Sequence, residues 1–180
     1  MKTADAELLM CIEGRTIDHK HWLWRWSQKL KTGKLVDIQK QSNVGTFSAY
    51  PNPILAAVKE CRRPIILIGY HLGVAAIVRS AQALPATSVK GAFLVAPADF
   101  DIRAGPGADG ELSDAPLPFP SLLVASRTDP RCSFEKASDM ALAWGSHLVD
   151  AGDAGQIDAS SGHGPWPEGL LRLGWFLKRL

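Results

Sequence analysis

Cysteine is scarce here, and what there is does not pair. Cys11, Cys61 and Cys132 are the only three in 180 residues. They form no C-x-x-C motif and leave an odd one over, which argues against both a disulfide framework and a cysteine zinc site and fits a reducing compartment. Charge of one sign is also missing. The formal net charge is +2, too small and too evenly spread to argue for nucleic acid or an anionic membrane as partner. The basic Lys178-Arg179 end reads as the last turn of a helix, where cations meet the dipole favourably. No apolar run approaches the roughly 18–20 residues that a membrane span needs. The first ten residues hold Asp5 and Glu7, with no apolar core of a secretory signal and no small-residue cleavage site. The expectation is a cytoplasmic protein of one domain, residues 1–180, large enough to bury a core without metal or disulfide support.

What the chain does have is a series of short apolar runs separated by helical segments. Glu7 to Ile12, Leu35 to Ile38, Ile65 to Ile68, Val89 to Val95, Ser121 to Ala125 and His147 to Val149 have strand length. Between them, His21 to Leu30 reads as a helix stopped by Gly33, Pro53 opens a second, and Leu72 to Leu84 has helical apolar spacing. Phe134 to Trp144 and Pro167 to Leu180 complete the set. The Gly-, Pro- and Asp-rich stretch from Asp101 to Pro120 reads as a loop. Continuous apolar strands alternating with helices imply a mostly parallel sheet covered on both faces. In such sheets reactive groups gather on loops at the carboxyl ends of strands. Those loops hold Glu13-Gly14, Gly69 to Gly73, Ser126 to Pro130 and Ala151 to Gly164.

One of them, I-I-L-I-G-Y-H-L-G (Ile65 to Gly73), has the frame of a nucleophile elbow. A strand turns sharply into a helix and lifts one side chain above the sheet. In an α/β-hydrolase that residue is serine, and an acid and then a histidine follow after later strands. Here His71 stands at the elbow and Asp129 (S-R-T-D-P) at the acid position. Gln156 (A-G-Q-I) replaces the histidine, so two of the three members are missing.

The motifs around these positions resemble those of the small, capless serine hydrolases of the YdeN-like and retinoblastoma-binding type. His21-Trp22-Leu23-Trp24-Arg25-Trp26 is similar to that family's H-W-x-x-R-W helix. Tyr70-His71-Leu72-Gly73 aligns with its H-S-L-G elbow. Gly91 to Pro97, Pro116 to Glu135 and Ser161 to Gly169 resemble its later strand, its acid segment and the stretch beyond its histidine. The resemblance covers nearly the whole chain. It implies a single-domain α/β-hydrolase fold without a cap, and a site in which Glu13, Gly14, Tyr70, Leu72 and Trp166 surround His71, Asp129 and Gln156. The departures fall on the reactive positions: serine becomes His71, histidine becomes Gln156, and the family's proline-glycine becomes Glu13-Gly14. A carboxylate there would oppose an oxyanion.

Gln156 cannot accept and return a proton near neutral pH, which removes the general base. In a related triad, loss of the nucleophile or base costs roughly a millionfold in kcat. The primary expectation is therefore a degenerate hydrolase acting by binding, with a small molecule, a peptide or a protein partner as candidate occupant and no cofactor. A second reading is a hydrolase of small esters in which His71 and Asp129 use His163, seven residues beyond Gln156, as substitute base. A third assembles His19, His21, His71 and Asp129 into a metal site, imidazole and carboxylate suiting zinc-like ions, although nothing in their spacing requires it. Against these stand plainer roles. An Asp before a proline commonly caps its own turn, H-G-P-W-P shapes a helix entry, and His147 begins a strand. Cys132 packs, and of Trp22, Trp24 and Trp26 one or two pack on the sheet.

Overall fold

The computed structural model describes residues 1–13, 18–39, 51–85, 87–99 and 112–180. Among the described residues, six strands and five α-helices follow along the chain: β1 Glu7–Ile12, α1 Trp22–Lys29, β2 Gly33–Asp37, α2 Pro51–Glu60, β3 Ile65–His71 and α3 Leu72–Ser80. Then follow β4 Val89–Pro97, β5 Ser121–Ala125, α4 Phe134–Trp144, β6 His147–Asp150 and α5 Pro167–Leu177. The strands form one sheet in the order β2-β1-β3-β4-β5-β6, and every neighbouring pair is parallel. Among the described residues no helix is long and apolar enough to cross a membrane.

Both faces are covered, and strand alternation assigns each residue to one of them. On β3, Ile65 and Leu67 join the cluster with α2, α3 and α4, which includes Val58, Val74, Ile77, Met140 and Trp144. Ile66, Ile68 and Tyr70 join the other, with Trp22, Trp26, Trp166, Leu173 and Phe176 from α1 and the segment entering and forming α5. Burial of a large apolar side chain stabilises by about 1.5–3 kcal/mol. A central strand with six buried residues out of seven therefore anchors the sheet.

Boundaries moved where the sequence pattern was locally ambiguous. Gly33 does not end α1 but begins β2, in register with Leu8. The helix has already stopped at Lys29, with Leu30 extended and its N–H still bonded to the Trp26 carbonyl. α2 starts at Pro51, two residues before Pro53, and ends at Glu60, leaving Cys61 just outside it. α3 stops at Ser80, four residues short of Leu84, and tightens into a 3-10 turn over Ala81–Ala83. Leu84 precedes Pro85 and is extended, as the steric demand of the proline ring requires. α5 likewise ends at Leu177. Residues 101–111 of the expected loop lie outside the described residues.

Two glycines let the elbow form. A Cβ at Gly73 would sit 2.1 Å from the Cys11 carbonyl oxygen, and one at Gly69 would meet Ile77 Cδ1 at 2.8 Å and the Val74 nitrogen at 2.9 Å. α3 thus presses directly on β1 and on the strand that precedes it. This is the point where the chain order reverses across the sheet. The carboxyl ends of β1 and β3 accordingly open the crevice in which such folds place ligands.

Candidate functional site

β3 passes into α3 with no intervening loop. His71 is both the last residue of the strand and the cap of the helix, at φ 50° and ψ −114°. A non-glycine residue held there costs on the order of 1–3 kcal/mol. The strain is the geometric mark of an elbow, since it turns the side chain up at the sheet's carboxyl end. The imidazole is half-buried. Burial and the nearby Arg131 guanidinium both hold it below the ordinary histidine pKa, which favours the neutral form. Among the described residues it has no hydrogen-bond partner.

Asp129 occupies the turn between β5 and α4. Its Oδ1 accepts the Arg131 backbone N–H at 2.8 Å, and the Cys132 N–H also bonds the carboxylate. Burial nevertheless raises its pKa above the usual value, because the backbone donors and the Arg131 charge only partly offset the desolvation. The carboxylate caps its own turn, the plainer of its two expected roles, and no hydrogen bond links it to His71.

Gln156 lies in the loop between β6 and α5, and the acid loop pins that segment. Ser126 Oγ accepts the Ala154 N–H at 3.0 Å and donates to the Gly152 carbonyl, and Thr128 Oγ1 accepts the Gly155 N–H at 3.1 Å. From the elbow strand, the Tyr70 hydroxyl donates to the Gln156 carbonyl at 3.2 Å. Ser126 is buried and ties the acid and base loops together. Its place near the site was legible in sequence, but its role was not, because a serine outside an elbow carries no local signal.

His163 turns toward its own loop. Its Nδ1 lies 3.3 Å from Ser161 Oγ and its backbone N–H donates to the Asp158 carbonyl. Asp158 Oδ1 gathers the Ser160 hydroxyl and the Ser161 N–H and hydroxyl, each within 2.9 Å. Burial pushes the Asp158 carboxyl up, but the Ser160 and Ser161 bonds outweigh it and hold it below the usual range. No hydrogen bond joins His163 to His71 among the described residues.

Of the remaining candidates, Glu13 accepts the Gln39 side-chain N–H at 2.8 Å, and Gly14 lies outside the described residues. Leu72 is partly buried against the α2/α3 face. Trp166, the residue before α5, is buried and stands at φ 46°. Its ring contacts Trp22 at 4.8 Å and stacks on Trp26 at 5.7 Å with planes 7° apart. Trp22 and Trp26, four residues apart on one helical face, are buried, whereas Trp24 is only partly so. Cys132 and Cys11 are buried as expected.

His21 opens the first helix and is a ligand of the third reading, but its surroundings do not suit a metal. It is buried, its Nδ1 accepts the Leu23 N–H as the cap of α1, and its ring packs 4.6 Å from Tyr70. Among the described residues Nε2 has no partner. Burial drives its pKa down to about 4, against the pull of Asp158 and Asp18. His19 is exposed and contacts Trp24. Among the described residues no three His, Cys, Asp or Glu side chains are grouped to hold a metal, so His19, His21, His71 and Asp129 do not assemble as the third reading needed.

The family model described as serine hydrolase matches residues 12–175. A crystal structure described as a YdeN-like hydrolase from Pectobacterium atrosepticum is 32% identical, with a TM-score of 0.81, over 97% of this chain and 92% of that one. The ydeN gene product of Bacillus subtilis aligns at TM-score 0.71 and 14% identity over 96% of this chain and 100% of its own. A thermophilic esterase from Thermogutta terrifontis, solved with malate bound, aligns at TM-score 0.69 and 15% identity over 95% and 89%. These last two share the fold. A search of curated proteins found no match. The chain belongs to the serine hydrolase family and has the α/β-hydrolase fold.

Proposed function

We propose that this serine hydrolase family member is a catalytically degenerate one, which binds a small molecule or peptide in the inherited cleft rather than turning over esters. The observation that carries the reading is the state of the elbow. Among the described residues the His71 imidazole has no hydrogen-bond partner and burial favours its neutral form, while the Asp129 carboxylate bonds its own turn. Acyl transfer requires a nucleophile activated by a neighbouring base and a base oriented by an acid. A carboxamide at position 156 cannot relay a proton, and Glu13 at the mouth of the crevice disfavours an oxyanion.

The test is direct. The purified protein is expected neither to hydrolyse short p-nitrophenyl esters nor to be labelled by a fluorophosphonate. The double substitution His71→Ser, Gln156→His is expected to gain fluorophosphonate labelling, because the elbow and both loops are in place. Ester turnover by the unmodified protein that His71→Ala abolishes would overturn the proposal in favour of a rearranged site using His71, Asp129 and His163.

A further inference from the structure

The loop that carries Gln156 is held from a third side by α1. Trp22 Nε1 donates to the Ile157 carbonyl at 2.8 Å, across 135 residues of sequence, in a buried setting. The Tyr70 hydroxyl holds the adjacent Gln156 carbonyl. Trp22 and Tyr70 meet edge to face at 6.0 Å, so the two donors approach consecutive carbonyls from one packed pair of rings. Ile157 is fully buried and stands at φ 53°, a left-handed conformation that a β-branched residue rarely adopts. Two hydrogen bonds to successive carbonyls, one on each side of that linkage, hold the backbone in it. Trp26 offers a contrast: its Nε1 donates to the Pro165 carbonyl at 3.3 Å, eight residues beyond Ile157.

We propose that Trp22 and Tyr70 are positioning residues of the site, whose N–H and O–H fix the backbone at 156–157 and so set where the side chain of residue 156 stands beside the elbow. The aromatic helix after β1 is then a wall of the cleft. A packing role alone needs no donor aimed at these two carbonyls. The inference rests on reading position 156 as the former base, and it sharpens that reading by naming what still holds the position.

The test uses Gln156→His and needs no substrate. The introduced imidazole is titrated by NMR in that variant and with Trp22→Phe, Tyr70→Phe or Trp26→Phe added, and the melting temperature of each is recorded. Phenylalanine keeps a ring at each site: Tyr70→Phe removes the hydroxyl alone, whereas each tryptophan loses its N–H with one of its two fused rings, a loss of packing that Trp26→Phe controls for. Trp22→Phe and Tyr70→Phe are each expected to move the midpoint by about half a pH unit or more, because a displaced imidazole meets different charges and burial. Trp26→Phe is expected to leave it in place. An unchanged midpoint in both Trp22→Phe and Tyr70→Phe overturns the proposal. So does an equal shift in all three, which would mark general loosening of the aromatic cluster. If the titrations behave as expected but His71→Ser, Gln156→His is not labelled, the failure belongs to the functional reading and not to the positioning.

Discussion

The two ends of the sheet are built to different standards. At the amino ends of the strands no described non-glycine residue has positive φ, and the buried end of β1 carries a paired charge. Glu7, at the start of β1, takes the Lys34 ammonium of β2 and the Arg62 N–H of the segment leading to β3, which hold its pKa down to about 2. At the carboxyl ends the chain is strained. His71 and Ala96, at the ends of β3 and β4, and Ile157 and Trp166, in the loop leading to α5, all have positive φ without being glycine. His21 keeps a buried nitrogen with no partner among the described residues. Strain of this kind persists only where surrounding structure over-determines it, and it clusters at functional sites. The contrast teaches that the backbone strain gathers at the carboxyl ends of the strands, around the candidate site, and not at the opposite end.

Breaking the close approach beneath the elbow gives the largest effect. Gly73→Ala drives a methyl into the Cys11 carbonyl, a backbone atom that cannot swing away, and is expected to cost about 4 kcal/mol or more in urea unfolding. Trp166→Ala empties the ring site between Trp22, Trp26 and Phe93 and is expected to cost about 3 kcal/mol by the same measure.

At the relaxed end, Glu7→Gln is expected to cost about 1 kcal/mol near neutral pH, measured by urea unfolding, since the Lys34 partner is half exposed and screening discounts the pair. The sign follows from the lowered folded-state pKa. The stabilisation is complete above the unfolded-state value near 4.3 and disappears as pH falls toward 2. Wild type and variant should therefore converge in stability at low pH.

His71→Gly has an effect no larger than that of Glu7→Gln and is the only gain in stability. Relief of φ 50° is expected to raise stability by about 1 kcal/mol. A loss of stability instead would mean that the imidazole's packing outweighs its strain, and the contrast between the two ends would weaken.

Most of the architecture was legible because it depends on local pattern. Uninterrupted apolar strands such as Ile65–Ile68 and Leu122–Val124 can only be parallel and covered. The elbow was legible through Gly69 and Gly73, whose close contacts no other residue permits. Boundaries slipped where one residue fits two roles, as Gly33 does between a helix stop and a strand start. The clamp on the base loop was illegible for another reason. A tryptophan N–H shows in sequence only that a partner is needed, and the partner of Trp22 lies 135 residues away. The aim of the His163 ring was not legible either, because proximity in sequence to Gln156 says nothing about where a turn points a side chain, and here Ser161 and Asp158 curl that turn onto itself.

The ring cluster of Trp22, Trp26 and Trp166 has an optical consequence. Three indoles whose centres lie 4.7 to 5.7 Å apart are close enough for their electronic transitions to couple, which gives a dichroic band sensitive to their mutual angles. Two of them belong to the helix that grips the loop and the third to the segment that follows it. A change in how that loop seats, whether from an occupant of the cleft or from a substitution, is therefore written into the protein's own near-ultraviolet spectrum without any added label.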